Sequence, residues 1–290
     1  MTDEIRLRPA VPQDLGRVVF VESQATPGLR YLARVFDSFL NDQEGELSVA
    51  EVNGRLVGCG KFTVQPDGSA WLESLRVLPD YQGLGVGKRF YQRFLETARR
   101  KKITTMRMYT NIANEASKGL AERFGFQKVA TYRGAWLDLQ DSPNGSDSTA
   151  FRVVRNPPQA TELLMPHYQQ WTGFVVMNRT FYPLTPDLCV TWAAEGKVYE
   201  DRTGGSVIAF GARFMPEQAL HIALAHGDME HWLTFARQRA AELGVRRIQC
   251  MYPPSYEDME IFLLGEGFHL DDYDCIVMEV DDCCDGEALA

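Results

Sequence analysis

The chain has 290 residues, 45% of them hydrophobic and 24% charged, with a formal net charge of −9. That length suits one large domain or two of ordinary size, and the composition is that of a folded soluble protein. The acidic balance argues against nucleic acid as a partner. The charged start MTDEIRLRPA, and the lack of any run near the roughly 20 apolar residues of a membrane span, argue against a secretory leader and a membrane. Six cysteines without a CxxC pair read as reduced thiols, so a cytoplasmic location is expected.

Taken in chain order, Ile5–Pro9 alternates apolar and polar residues as a half-buried strand does. Pro12-Gln13-Asp14 opens a helical pattern through Leu15, Val18, Val19 and Glu22. Tyr31, Phe36 and Phe39 are aromatics that suit either core packing or an acceptor pocket. Leu47–Glu51 and Leu56–Val64 read as a hairpin around Asn53-Gly54, and Ala70–Leu78 as the next strand. A helix follows with the apolar stripe Phe90, Tyr91, Phe94, Leu95 and Ala98, ending in basic residues that suit its negative end. Ile103–Thr110 is expected as strand, Glu115–Phe124 as helix and Gln127–Leu139 as strand, with a polar linker at 141–150.

The second half repeats the first. Phe124-Gly125-Phe126 recurs as Glu266-Gly267-Phe268, 142 positions on. At the same spacing Met106–Tyr109 falls on Ile248–Met251, and the helix around Phe90, Tyr91 and Phe94 on Trp232, Leu233 and Ala236. Upstream the spacing is 152, so about ten residues are missing from the second copy where the first has its glycine cluster. The expected domains are therefore 1–140, a linker at 141–150, a second and degenerate copy at 151–282, and an acidic tail at 283–290.

That glycine cluster lies in Gln82-Gly83-Leu84-Gly85-Val86-Gly87-Lys88, between strand and helix. Glycine admits positive φ and close approach, and the first turn of a helix has unpaired N–H groups, a combination suited to phosphate. A P-loop is excluded, because Gln82 stands at its first glycine and Arg89 at its hydroxyl. The dinucleotide fingerprint is excluded too, with Lys88 at its third glycine and no acid closing the next strand.

Val77-x-Pro79-x-Tyr81-Gln82-Gly83-x-Gly85-x-Gly87 resembles motif A of the GNAT superfamily of acetyl-CoA-dependent N-acetyltransferases. Asn114-x-x-Ser117-x-x-Leu120-x-x-x-Phe124-Gly125-Phe126 resembles its motif B. The resemblance implies an α/β fold of mixed α+β type: two GNAT-like halves in tandem, each a mixed, mostly antiparallel sheet flanked by helices. It implies that acetyl-CoA is bound by the first half alone. The pyrophosphate would lie on backbone N–H groups of Gln82, Gly83, Leu84, Gly85, Val86, Gly87 and Lys88, and the pantetheine along Leu75 and Val77, approached by Asn114 and Ser117.

Acetyl transfer needs a deprotonated amine, so a general base is expected, and Glu73 on the same strand is the candidate. Ala121 stands where many family members carry a tyrosine acid, which leaves Tyr109 and Tyr132 as candidates to protonate the sulfur. Lys88, Arg89 and Arg93 are candidate contacts for CoA phosphate, with a solvated helix face as the plain alternative. His221, His226 and His231 recur every five residues without an HExxH pattern, so no metal is expected. A small-molecule or peptide amine is expected as the acceptor. A non-catalytic CoA-binding or protein-interaction module is the rival reading.

Overall fold

In the computed structural model, which describes residues 4–139 and 150–281, the first half builds its sheet from consecutive strands. The expected linker up to Thr149, and the tail 283–290 with Cys283 and Cys284, lie outside the described residues. The elements are β1 (Ile5–Pro9), α1 (Leu15–Ala25), α2 (Leu32–Leu40), β2 (Glu46–Val52), β3 (Arg55–Val64), β4 (Ala70–Val77), α3 (Val86–Lys101), β5 (Met106–Asn111), α4 (Glu115–Glu122) and β6 (Gln127–Asp138). β1 to β4 pair antiparallel with their neighbours, and β4 pairs parallel with β5 because α3 carries the chain back across the sheet. Asn53 and Gly54 both take left-handed φ (50° and 77°), the two-residue turn that matches strand twist. Phe90, Tyr91, Phe94 and Ala98 of the α3 stripe are buried as expected and Leu95 is half-buried, with Tyr91 stacked on Phe124 at 4.9 Å and edge-on to Phe126 at 5.6 Å. Phe36 and Phe39 lie in this core on α2, an element the sequence did not announce.

The second half continues with β7 (Phe151–Val153), α5 (Pro157–Leu164), β8 (Phe174–Met177), β9 (Thr180–Pro183), α6 (Pro186–Glu195), β10 (Val198–Asp201), β11 (Val207–Gly211), β12 (Leu220–His226), α7 (Met229–Glu242), β13 (Arg247–Tyr252), α8 (Glu257–Gly265), β14 (His269–Leu270) and β15 (Cys275–Val280). β10, β11 and β12 pair antiparallel and β12 pairs parallel with β13, the same sequence of pairings as β2 to β5. The repeat is real: β13 starts 141 positions after β5, and α8 starts 142 positions after α4. β8 and β9 form a separate two-stranded sheet with no counterpart in the first half.

Two compact units result. The first takes the described residues up to Thr110, Asn114–Val129 and those from Met278 on; the second takes Asn111–Ala113 and Ala130–Val277. β6 and β15 therefore each contribute to both units. Within the first unit Arg107 pairs with Asp67 at 2.9 Å and with Glu279, and Thr105 donates to Asp281 at 2.7 Å. Within the second unit Arg133–Asp138 of β6 pair antiparallel with β13. No helix among the described residues is long and apolar enough to cross a membrane.

The second unit holds a small cavity of about 30 Å³ lined by His221, Arg179, Asp271, Gln249 and Cys250, among others. Burial, with a smaller push from Arg179, holds the His221 imidazole down at about 4. His167, stacked on His226 at 3.9 Å, is likewise held at about 4 by burial and by that neighbour. Both rings are neutral when folded and protonate near 6.5 when unfolded, so stability is fully present above pH 6.5 and is lost as pH falls toward 4. Each histidine contributes a slope of up to ~1.4 kcal/mol per pH unit in that window. Asp14, beside Arg8, is held below the usual carboxylate range and acts only at lower pH. Thermal unfolding from pH 7 to 4 is expected to show a falling midpoint that flattens in His221→Asn; a wild-type midpoint constant over that range would contradict it.

Candidate active site

Strand β4 is not regular. Cys59 faces Arg76 and Lys61 faces Glu73, so both Ser74 and Leu75 lie opposite Gly60, and Ser74 takes φ 57°. This is a β-bulge, and it bends the strand. The parallel ladder to β5 runs only over Ala70–Leu72 and Met106–Met108. Beyond Leu72 the two strands part, which leaves the β5-facing edge of Glu73–Val77 open to an extended ligand. Leu75 and Val77 lie on that stretch, both half-buried.

At the end of β4 the chain enters the glycine cluster. Gly83 and Gly85 take φ 77° and 89°, and Gly85 caps α3. The first helical bond runs from Arg89 N–H to the Gly85 carbonyl at 3.1 Å, so the N–H groups of Val86, Gly87 and Lys88 precede the ladder. Gln82, Gly83, Leu84, Gly85 and Lys88 are exposed. The side chain of Gln82 ties the loop back by donating to the Val77 carbonyl at 3.1 Å. A Cβ on Gly87 would lie 2.8 Å from Leu120 Cδ2, so glycine is also required there for α4 to pack. Asn114 caps α4 by accepting from Ser117 N–H at 3.1 Å. Ala121 is fully buried.

Around the bulge, polar side chains converge. Glu73 accepts from Thr63 Oγ1 at 2.6 Å, and the Tyr31 hydroxyl lies 2.7 Å from Ser74 Oγ. Burial pushes the Tyr31 phenol up, with Arg76 opposing and Glu73 and Tyr109 adding to that shift. Tyr109 stacks flat on Trp71 at 6.0 Å. The strict alternation that placed Glu73 beside Leu75 is broken by Ser74; the carboxylate is positioned by Thr63 instead.

The sequence model of the acetyltransferase (GNAT) family matches residues 17–126. The first unit carries a GNAT acetyltransferase domain. Among solved structures, a tandem GNAT protein from the clavulanic acid biosynthesis pathway is 14% identical, with a TM-score of 0.64 over 98% of this chain and 100% of its own. A GCN5-related N-acetyltransferase from Sphaerobacter thermophilus is 13% identical, with a TM-score of 0.61 over 96% and 95%. One from Kribbella flavida is 16% identical, with a TM-score of 0.51 over 96% and 71%. At these identities the likeness establishes the fold: two GNAT-like halves in one chain. None of the curated proteins matches the sequence.

Within the GNAT domain, Glu73 and Tyr109 belong to one cluster, whereas Tyr132 belongs to the second unit. Tyr132 is fully buried there, and its hydroxyl donates to the Trp171 and Phe174 carbonyls and accepts from Thr172. Arg93 is held bidentate by Glu46 at 2.9 and 3.0 Å, which leaves Lys88 and Arg89 as the exposed cations of the first helical turn. The three histidines part company: His221 lines the cavity, His226 stacks on His167, and His231 lies 3.5 Å from Asp201. No cluster of metal ligands is found among the described residues.

The second GNAT-like half closes the corresponding place. Only Gly227 and Asp228 separate β12 from α7. The Asp228 carboxylate accepts from His231 N–H at 3.0 Å, so the helix start is capped by its own chain. A Cβ on Gly227 would lie 2.3 Å from the Gly205 carbonyl oxygen, so the chain at Gly205 and Ser206 packs tightly against the start of α7.

Proposed function

We propose that this protein is an N-acetyltransferase that moves the acetyl group of acetyl-CoA to a primary amine in its first unit. The carrying observation is the open edge of β4, running from the Glu73 cluster to an exposed, left-handed glycine loop at the start of α3. The loop N–H groups from Gln82 to Lys88 suit a diphosphate, and the edge at Leu75 and Val77 suits the pantetheine amides. Asn114 and Ser117, at the start of α4, are the candidates to approach the pantetheine arm.

In this reading Glu73 accepts the proton of the attacking amine, and the Val77 N–H donates to the thioester carbonyl. The amine nitrogen bonds to the acetyl carbon as the carbon–sulfur bond breaks. Tyr109 is the candidate to return a proton to the sulfur, and a thiol with a pKa of about 8.5 leaves without strong assistance. Ala121 favours a second reading, a binding module that holds CoA without turnover. Release of free CoA that depends on an added amine, measured over a panel of small amines and peptides, decides between them. A protein that binds acetyl-CoA and acetylates none of them is the binding module.

Because Asp228 caps α7 and Gly227 is packed shut, calorimetric titration is expected to give one acetyl-CoA per chain. Two equal sites would sink the division of labour between the halves.

A further inference from the structure

Arg76, on β4 beside the bulge, has no carboxylate partner among the described residues. The contrast with its peers is plain: Arg8, Arg93, Arg107, Arg133, Arg179 and Arg247 each hold an acidic side chain. Arg76 Nη1 donates only to the neighbouring Leu75 carbonyl at 3.0 Å, and its Nε is buried without an acceptor. A buried donor of a charged group left in this state is costly, and such groups normally find an anion.

The nearby acids do not meet that need. Glu22, 2% exposed, receives the Tyr31 and Leu32 N–H groups at 3.0 Å, and Glu73 receives Thr63. Across the strand pair Arg76 faces Cys59, whose Sγ lies 3.6 Å from the Ser74 carbonyl. The guanidinium thus belongs to the group that contains Tyr31, Ser74 and Glu73, where the amine would react.

Resting on the acetyltransferase reading, we propose that the acceptor carries a carboxylate in the same molecule as its amine, and that Arg76 binds it. The planar guanidinium fork matches a carboxylate, and the Tyr31 and Ser74 hydroxyls supply further polar contacts. A singly charged carboxylate suits the site better than a dianionic phosphate, because the Glu22 and Glu73 carboxylates stand close by. The acceptor's own ammonium faces Glu73, so the pair Arg76 and Glu73 matches a zwitterion: one end is anchored and the other deprotonated.

The test uses the full chain, acetyl-CoA, and α- and ω-amino acids each paired with its carboxamide. Acids are expected to exceed amides in kcat/KM by about tenfold to hundredfold, mainly through KM. Arg76→Gln should collapse that ratio toward one, mainly by raising KM for the acids, and Arg76→Lys should restore part of it. Equal use of acids and amides, or a ratio unmoved in Arg76→Gln, overturns the carboxylate site and leaves the acetyltransferase reading standing. If acetyl-CoA binds and no amine is acetylated, calorimetry of the acids alone separates the two claims. Acid binding lost in Arg76→Gln keeps the site and removes the acetylation reading; no acid binding overturns the site.

Discussion

Replacing Gly85 by valine is expected to weaken acetyl-CoA binding by about two to three decades. Gly85 takes φ 89°, a conformation that a β-branched residue does not adopt without strain. Nothing but Ile5 Cδ1, at 3.9 Å, lies near a Cβ built there, so the domain still folds around the new side chain. What the side chain occupies is the space in front of the helix start. Losing one or two hydrogen bonds to a charged diphosphate, at ~1.5–3 kcal/mol each, gives the stated range. Gly119→Ala is the control, because a Cβ meets nothing within 4 Å there, inside α4. Calorimetric titration reads the result. A Gly85→Val protein with wild-type affinity would mean that the phosphates lie elsewhere.

Glu73→Gln is expected to lower kcat at pH 7 by about 10²–10⁴, the usual range for a general base, with acetyl-CoA affinity unchanged. The amide keeps the shape of the carboxylate and its carbonyl still accepts from Thr63 Oγ1, so the loss is chemical rather than structural. An amine with a pKa near ~10.4 is mostly protonated at pH 7 and increasingly free as pH rises. The deficit should therefore shrink toward pH 10, since less proton removal remains to be done. Rapid-quench measurement of the chemical step checks this. A full rate at neutral pH in Glu73→Gln would remove the residue from catalysis, and a deficit constant with pH would assign it to positioning.

Local chemistry made much of the fold legible. Asn53-Gly54 announced a hairpin, the stripe Phe90–Ala98 announced α3, and the strand-then-helix repeat kept its spacing because β13 keeps the length of β5 and α8 is one residue longer than α4. The glycine loop was legible for the same reason, since its residues are chosen by backbone geometry. What the sequence hid depends on distant groups. Helix α2 has no capping side chain of its own; its first N–H groups are received by Glu22, nine and ten residues upstream. The bulge in β4 rests on a serine rather than a glycine at positive φ, so no residue type marks it. The turn between β8 and β9 uses Asn178-Arg179, both left-handed, in place of Asn-Gly. Tyr132 looked like an active-site phenol because β6 follows the GNAT motifs in sequence, yet its strand pairs with β13 from Arg133 onward. Arg76 carried no motif at all, and only the missing partner makes it visible.

The ion pair between Arg107 and Glu279 links positions 172 apart in the chain. A ribosome making ~5–20 residues per second takes on the order of 10–30 s to cover that distance. Every residue of the second unit emerges in the interval, before the segment from Met278 that completes the first. The acetyltransferase domain, although encoded first, is therefore finished last. A nascent chain carrying the whole glycine loop still lacks Asp281 and Glu279, the late partners of Thr105 and Arg107, and a fragment cut before Met278 lacks them permanently.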